Sequence, residues 1–345
     1  MRVVEINVDR GSDVFRPNHK RVISMYLDLV HSDRIRSVIG RVMSLPEEEI
    51  DDVLGRVMEH FVSRHSCITT VLREHFDSVS QYIEPGAVLS ENRQLLIGAN
   101  FTKEYSIESA ALFNPSIVQH PDQSRLPAGD IRVLMSLRAT GEGHISSIVF
   151  RQGVIRSDGG IDMDSPDNSP STGKINYDHL YAKKLFLLKL IEMGCHSHEI
   201  DCIIGRLDDH FTMAELEHTV ADLLALHQDC PAMKAAVRHI RHLAQANYEL
   251  SFDNQVAPGD MVIFPMADSE SGGMEDVRMV RFVEDDGWAT YFGTYTAYDG
   301  FNILPQMFET TDFRSFRIMT LTGKCARNKG MALFPRKIGG QYMMV

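Results

Sequence analysis

Two hydrophobic periods alternate along this chain. Between Arg16 and Tyr82 apolar residues return every three or four positions. Ile35, Val38, Ile39 and Val42 share one face, and Ile50, Val53, Leu54, Val57, Met58 and Phe61 share another. That spacing predicts amphipathic helices, and Val71, Leu72 and Phe76 extend it. Ser44-Leu-Pro-Glu47 has the spacing of a capping box, with proline inside the first turn. Ahead of the helices, Val3 to Val8 alternates as a short strand. The apolar helix faces need a cover, most simply the β-structure that follows, with a partner surface as the alternative.

Pro85-Gly86 breaks this pattern, and period-2 runs follow: Gln94 to Ala99, Ile131 to Arg138 and Ile145 to Phe150. Turn clusters at Pro127 to Asp130 and Thr140 to Gly143 separate them. Ser157 to Gly173, rich in Ser, Asp, Gly and Pro, reads as a linker or loop. Helical spacing returns from Tyr177 to Leu250. Ile200, Ile203, Ile204 and Leu207 share a face, Thr212-Met-Ala-Glu215 is a capping box, and Pro231 opens a last helix along Val237, Ile240 and Leu243. Strand patterning resumes at Phe252 and includes Met261 to Pro265. The apolar run Met279 to Val283, the acidic turn Glu284 to Gly287 and the aromatic run Trp288 to Tyr295 form a hairpin. The pattern therefore predicts β-structure over Ala87 to Arg156 and Met261 to Val345, around a helical block from Tyr177 to Leu250.

Composition narrows the function classes. The 345 residues can bury a sizeable core, and 43% hydrophobic with 24% charged is ordinary for a globular protein. A net charge of −12 argues against nucleic acid and anionic membrane as partners, because both attract a positive surface. No signal peptide and no bilayer-length apolar run is visible. The five cysteines are scattered without a C-x-x-C pair, which fits free thiols in a reducing cytoplasm.

Candidate chemistry gathers at the hairpin entrance. Glu275 and Asp276 stand beside Arg278, an arrangement suited to acid catalysis on an anionic or polyhydroxylated ligand. A turn in which Arg278 only neutralises the two acids explains the same residues. Glu142 and His144 form a second polar cluster in a glycine-rich turn. His196, His198, His239 and His242 lack the further ligands of a metal set, so no metal and no cofactor is expected.

Gly273-Met-Glu-Asp-Val-Arg278, Thr294-Tyr-Thr-Ala-Tyr-Asp-Gly300 and Asn328-Lys-Gly-Met-Ala-Leu-Phe-Pro-Arg-Lys337 together resemble glycoside hydrolase family 130. Phe113-Asn-Pro-Ser-Ile-Val118 and Ser136-Leu-Arg-Ala139 resemble that family's first blade. The match covers Ala87 to Gly153 and Phe252 to the end. The resemblance implies a five-bladed β-propeller acting on β-linked mannosides as a phosphorylase or mannosidase. The expected fold is then α+β: a partial β-propeller with an N-terminal helical region and a helical insertion between the first and second blades. The units would be residues 1–85, helical; 86–156, the first blade; 157–251, linker and insertion; and 252–345, further blades. The ring would be incomplete, with Lys337 to Val345 a hairpin whose second strand has just begun, so the chain reads as truncated.

By the same resemblance Asp276 is the catalytic acid, Asn114 and Arg138 face the sugar, and Tyr295, Tyr298 and Asp299 lie at its pocket. Arg327 and Asn328 would hold inorganic phosphate as co-substrate, and Arg278 would orient the acid loop. Phosphate or water would attack directly, with inversion. The partner is a β-mannoside oligosaccharide, and homo-oligomerisation is left open. A non-catalytic carbohydrate-binding or assembly protein is the alternative.

Overall fold

The computed structural model describes residues 14–345 except 66, 168 and 228. The strand read at Val3 to Val8 lies outside the described residues. Strand β1 (Val22–Tyr26) opens the fold, followed by helices α1 (Ser32–Met43), α2 (Glu47–Phe61), α3 (Ile68–Val79) and α4 (Glu91–Asn100). Strands β2 (Thr102–Ser106), β3 (Ala111–Gln119), β4 (Ile131–Thr140), β5 (Ser146–Ile155), β6 (Ile161–Met163) and β7 (Lys174–Asn176) follow. The helical block holds β8 (Tyr181–Ala182), α5 (Lys183–Glu192), α6 (His198–Gly205), β9 (His210–Phe211), α7 (Met213–Leu226) and α8 (Pro231–Gln245). The chain continues through β10 (Tyr248–Ser251), β11 (Val262–Ile263), β12 (Gly273–Val283), β13 (Ala289–Tyr298), β14 (Ile303–Thr310) and β15 (Ser315–Thr320).

The N-terminal helices cover one another. Ile35, Ile39, Val42, Ile50, Phe76 and Val79 form one core with Leu96, Ile97 and Phe101 of α4 and the residue after it. Three readings of this region are corrected. Gln94 to Ala99, expected as a strand, lies in α4, whose first turn is capped by Ser90 Oγ accepting from Arg93 N. Val22–Tyr26, expected as helix, is a strand paired antiparallel with β2. The Ser44 capping box also fails. Ser44 ends α1, Pro46 precedes α2, and Glu47 is held by Arg93 instead.

The partial propeller is overturned by the sheet topology. A propeller repeats four-stranded blades around an axis. Here one sheet has six strands, in the order β12-β13-β14-β15-β10-β7, and the other runs β11-β5-β4-β3 with β6 beside β5. The meander β12 to β15 is extended by β10 and β7, which come from either side of the helical block. Among the described residues the strands close into neither a barrel nor a propeller. The architecture is a mixture of antiparallel sheets and helices. Alternating hydrophobicity marks strands but not their neighbours, so the sheet order had no local signature.

The two sheets share a core. Leu134, Ile148 and Phe150 of the smaller sheet meet Phe308, Phe313, Phe316 and Ile318 of the larger. Helices α5 to α8 pack around their own centre, with Ile200, Ile203, Ile204, Leu216, Val220, Val237, Ile240 and Leu243 inward. Among the described residues no helix is long and apolar enough to cross a membrane.

Candidate active site

The site forms where β12 crosses the smaller sheet. Gly273 opens β12 at φ +123°, and a Cβ there would lie 2.7 Å from the backbone nitrogen of Ser146. Only glycine admits both the conformation and this approach. Further along, the backbone N–H of Met279 donates to Ser116 Oγ at 2.8 Å, fixing β12 against β3.

Both strands are bulged beside this seam. On β12 the register with β13 shifts between Glu275 and Arg278, and Asp276 takes φ +58°. On β3 the register with β4 shifts between Phe113 and Ser116, and Asn114 takes φ +48°. Asn and Asp tolerate the left-handed region better than most residues, yet it still costs energy. Bulges re-aim side chains and recur beside active sites.

Arg138 of β4 organises the cluster. It donates from Nη2 to Glu275 Oε1 at 3.0 Å, from Nη1 to Asp276 Oδ1 at 3.3 Å and from Nε to Ser146 Oγ at 2.9 Å. Lys329 Nζ lies 2.6 Å from Glu275 Oε2 and 5.6 Å from the centre of the Tyr298 ring. Glu275 therefore has a cation on each oxygen. Its side chain is 13% exposed and that of Asp276 29%, so Asp276 is the carboxylate more open to a ligand. Arg278, expected to orient the acids, makes no ion pair among the described residues. Arg138 takes that role from another sheet.

The remaining expected residues divide. Asp276, Tyr295 and Asn328 line one narrow crevice, too tight to admit a water-sized sphere. Asp299 and Arg327 line a separate cavity of about 870 Å³, between the helical block and the larger sheet. Asn114 directly follows Phe113, the register partner of Arg138, which places its backbone beside the cluster. Tyr295 is 4% exposed, and its hydroxyl donates to Glu270 Oε1 at 3.0 Å. Glu270 also accepts from the Tyr248 hydroxyl at 3.1 Å and from the N–H groups of Met266 and Ala267, each at 3.2 Å. Burial raises the Glu270 pKa, and these hydrogen bonds oppose the shift. The Tyr298 hydroxyl donates to the Gly300 carbonyl at 2.6 Å, and Asp299 Oδ1 accepts from the N–H groups of Phe301 and Asn302. Both hold the turn between β13 and β14.

Two participants had little sequence signal. Ser146 is one of two adjacent serines, and only the approach of Gly273 marks it. Lys329 stood inside the Asn328 to Lys337 motif, but its pairing with Glu275 is long-range. Glu142 is structural, since its Oε1 accepts from the N–H of Ser106 at 3.1 Å. Among the described residues no group of three His, Cys, Asp or Glu side chains could hold a metal ion. No protein-family model, curated protein or solved structure matches this chain.

Proposed function

We propose that this chain cleaves β-mannosides as an inverting glycoside phosphorylase or glycosidase, with Asp276 as the general acid. The observation that carries the reading is the grip of Arg138 on Glu275 and Asp276, with Asp276 aimed by a bulge at positive φ. Preference for mannosides rests on the sequence resemblance.

The pairing of Glu275 favours phosphate over water. Hydrolysis with inversion ordinarily needs a second carboxylate to activate water. Both Glu275 oxygens already accept bonds from cations. Inorganic phosphate arrives ionised and needs no such base, but it does need positive neighbours. Lys329, exposed and bound to Glu275, is a cation beside the two acids. The neutral amide of Asn328 lines the Asp276 crevice as a hydrogen-bond donor, whereas Arg327 faces the larger cavity. The five free cysteines support a reducing, cytoplasmic compartment.

The ion pair with Arg138 already occupies one oxygen of Asp276, which favours a second reading, a carbohydrate-binding protein without turnover. Incubation of the purified chain with β-linked mannobioses, with and without phosphate, separates them. Phosphate-dependent appearance of a mannose phosphate supports phosphorolysis, and free mannose alone supports hydrolysis. Saturable binding without product supports the second reading. Neither product nor binding would reject both.

A further inference from the structure

The cavity between the helical block and the larger sheet is not used by the Asp276 cluster. Its solvent-accessible volume is about 870 Å³, within the range of small-molecule sites. Arg238, Arg241, His242 and Gln245 of α8 line one wall. Their three- and four-residue spacings put them on one helix face. Arg327, from the segment after β15, and Lys189 of α5 line it as well. Glu192, Asp268 and Asp299 line it too, so four cations face three carboxylates, and Arg238 and Arg327 are the guanidinium groups left for an anion.

Some of these groups are already engaged. Arg241 forks onto Glu217, with Nε 2.9 Å from Oε1. Lys189 Nζ donates to the Leu321 carbonyl at 2.7 Å. Burial lowers the Lys189 pKa, Glu192 opposes that, and the Arg327 charge adds to the lowering. Arg238 and Arg327 are exposed, and their guanidinium groups have no partner among the described residues. A buried hydroxyl adds to the polar lining. Ser269 lines the cavity at 2% exposure, and its Oγ has no hydrogen-bond partner among the described residues. Buried hydroxyls are normally paired. Phe301, 94% exposed, also lines the cavity and offers an aromatic face for the C–H surface of a sugar ring.

The geometry points to a second ligand site in this cavity, for a phosphorylated sugar. Arg238 and Arg327 hold the phosphate group, whose oxygens suit planar guanidinium forks. Ser269 pairs with a hydroxyl, and Phe301 covers the ring. The site does not depend on the Asp276 reading, because Asp276 lies outside this cavity.

Calorimetric titration of the full chain with glucose 6-phosphate, inorganic phosphate and glucose tests it. Glucose 6-phosphate should bind saturably, inorganic phosphate more weakly, and glucose not at all. Arg238→Ala and Arg327→Ala should each weaken glucose 6-phosphate by about tenfold, as expected for a charged hydrogen bond. Both side chains are exposed, so the variants should keep the parent's circular dichroism. Asp276→Asn should leave the affinity unchanged. Absence of saturable binding, undiminished binding in the double arginine variant, or equal affinity for inorganic phosphate and the sugar phosphate would each overturn the assignment.

Discussion

Arg138 Nη1 lies 3.3 Å from Asp276 Oδ1, across 138 positions of sequence. The same guanidinium reaches Glu275 through its other terminal nitrogen. One side chain thus joins the smaller sheet to the bulge of the larger and binds two neighbouring carboxylates at once.

Arg138→Lys tests this junction. An ammonium is a point charge and cannot span two carboxylates and Ser146 in one plane. The variant should lose about 1–3 kcal/mol in urea denaturation, the range for charged hydrogen bonds that are partly buried. An unchanged midpoint and slope would show that the three contacts contribute nothing net.

Local signals in the sequence were readable, and long-range ones were not. Thr212 and Glu215 do form a reciprocal capping box on α7, and Pro231 does open α8. Glu284 to Gly287 does turn β12 into β13, with Glu284 N–H donating to the Trp288 carbonyl. These features depend on residues within one turn of each other. The failures depend on partners far away. Leu95, Leu96 and Ile97 are apolar enough for a buried strand or a buried helix, and only packing against α1 to α3 settles it as helix. Arg278 was the nearest cation to the acids in sequence, while the cation in contact comes from β4. The propeller expectation came from motifs that constrain short stretches and leave sheet order open.

Gly98 shows what that packing requires. A Cβ at this position of α4 would lie 1.8 Å from the Leu72 carbonyl oxygen of α3. Backbone cannot move aside as a flexible side chain can. Gly98→Ala should therefore destabilise the protein by about 1–3 kcal/mol or more, despite the better helix propensity of alanine. Thermal melts of variant and parent check this. A variant as stable as the parent would mean that α3 and α4 separate freely.

His179 predicts an acid sensitivity. Its Nδ1 is buried without a partner among the described residues, and its ring centre lies 3.9 Å from that of Tyr181. Burial, reinforced by the Arg317 charge and opposed by Asp178, lowers the imidazole pKa to about 4. An unfolded histidine titrates near 6.5. Between these values the unfolded chain binds more protons, so stability falls as pH drops from about 6.5 towards about 4. His179→Phe keeps a ring against Tyr181 and removes the titration. Urea midpoints taken from neutral pH down to about 4 should fall less in the variant than in the parent. Parallel curves would show that His179 gains its proton without cost.

Asp276→Asn bears most directly on the proposed chemistry. The amide preserves the size of the side chain but has no carboxylic proton to give. If Asp276 protonates the departing oxygen, turnover of a mannobiose should fall by about 10²–10⁴-fold. Mannobiose binding should change far less, because the amide still offers hydrogen bonds. The loss should shrink with nitrophenyl β-mannoside, whose leaving group departs with little protonation. Glu275→Gln provides the contrast. Glu275 is the more buried carboxylate and carries cations on both oxygens, so its loss should appear mainly as lower stability. Equal loss of turnover in both variants, without dependence on the leaving group, would make the pair structural and place the chemistry elsewhere.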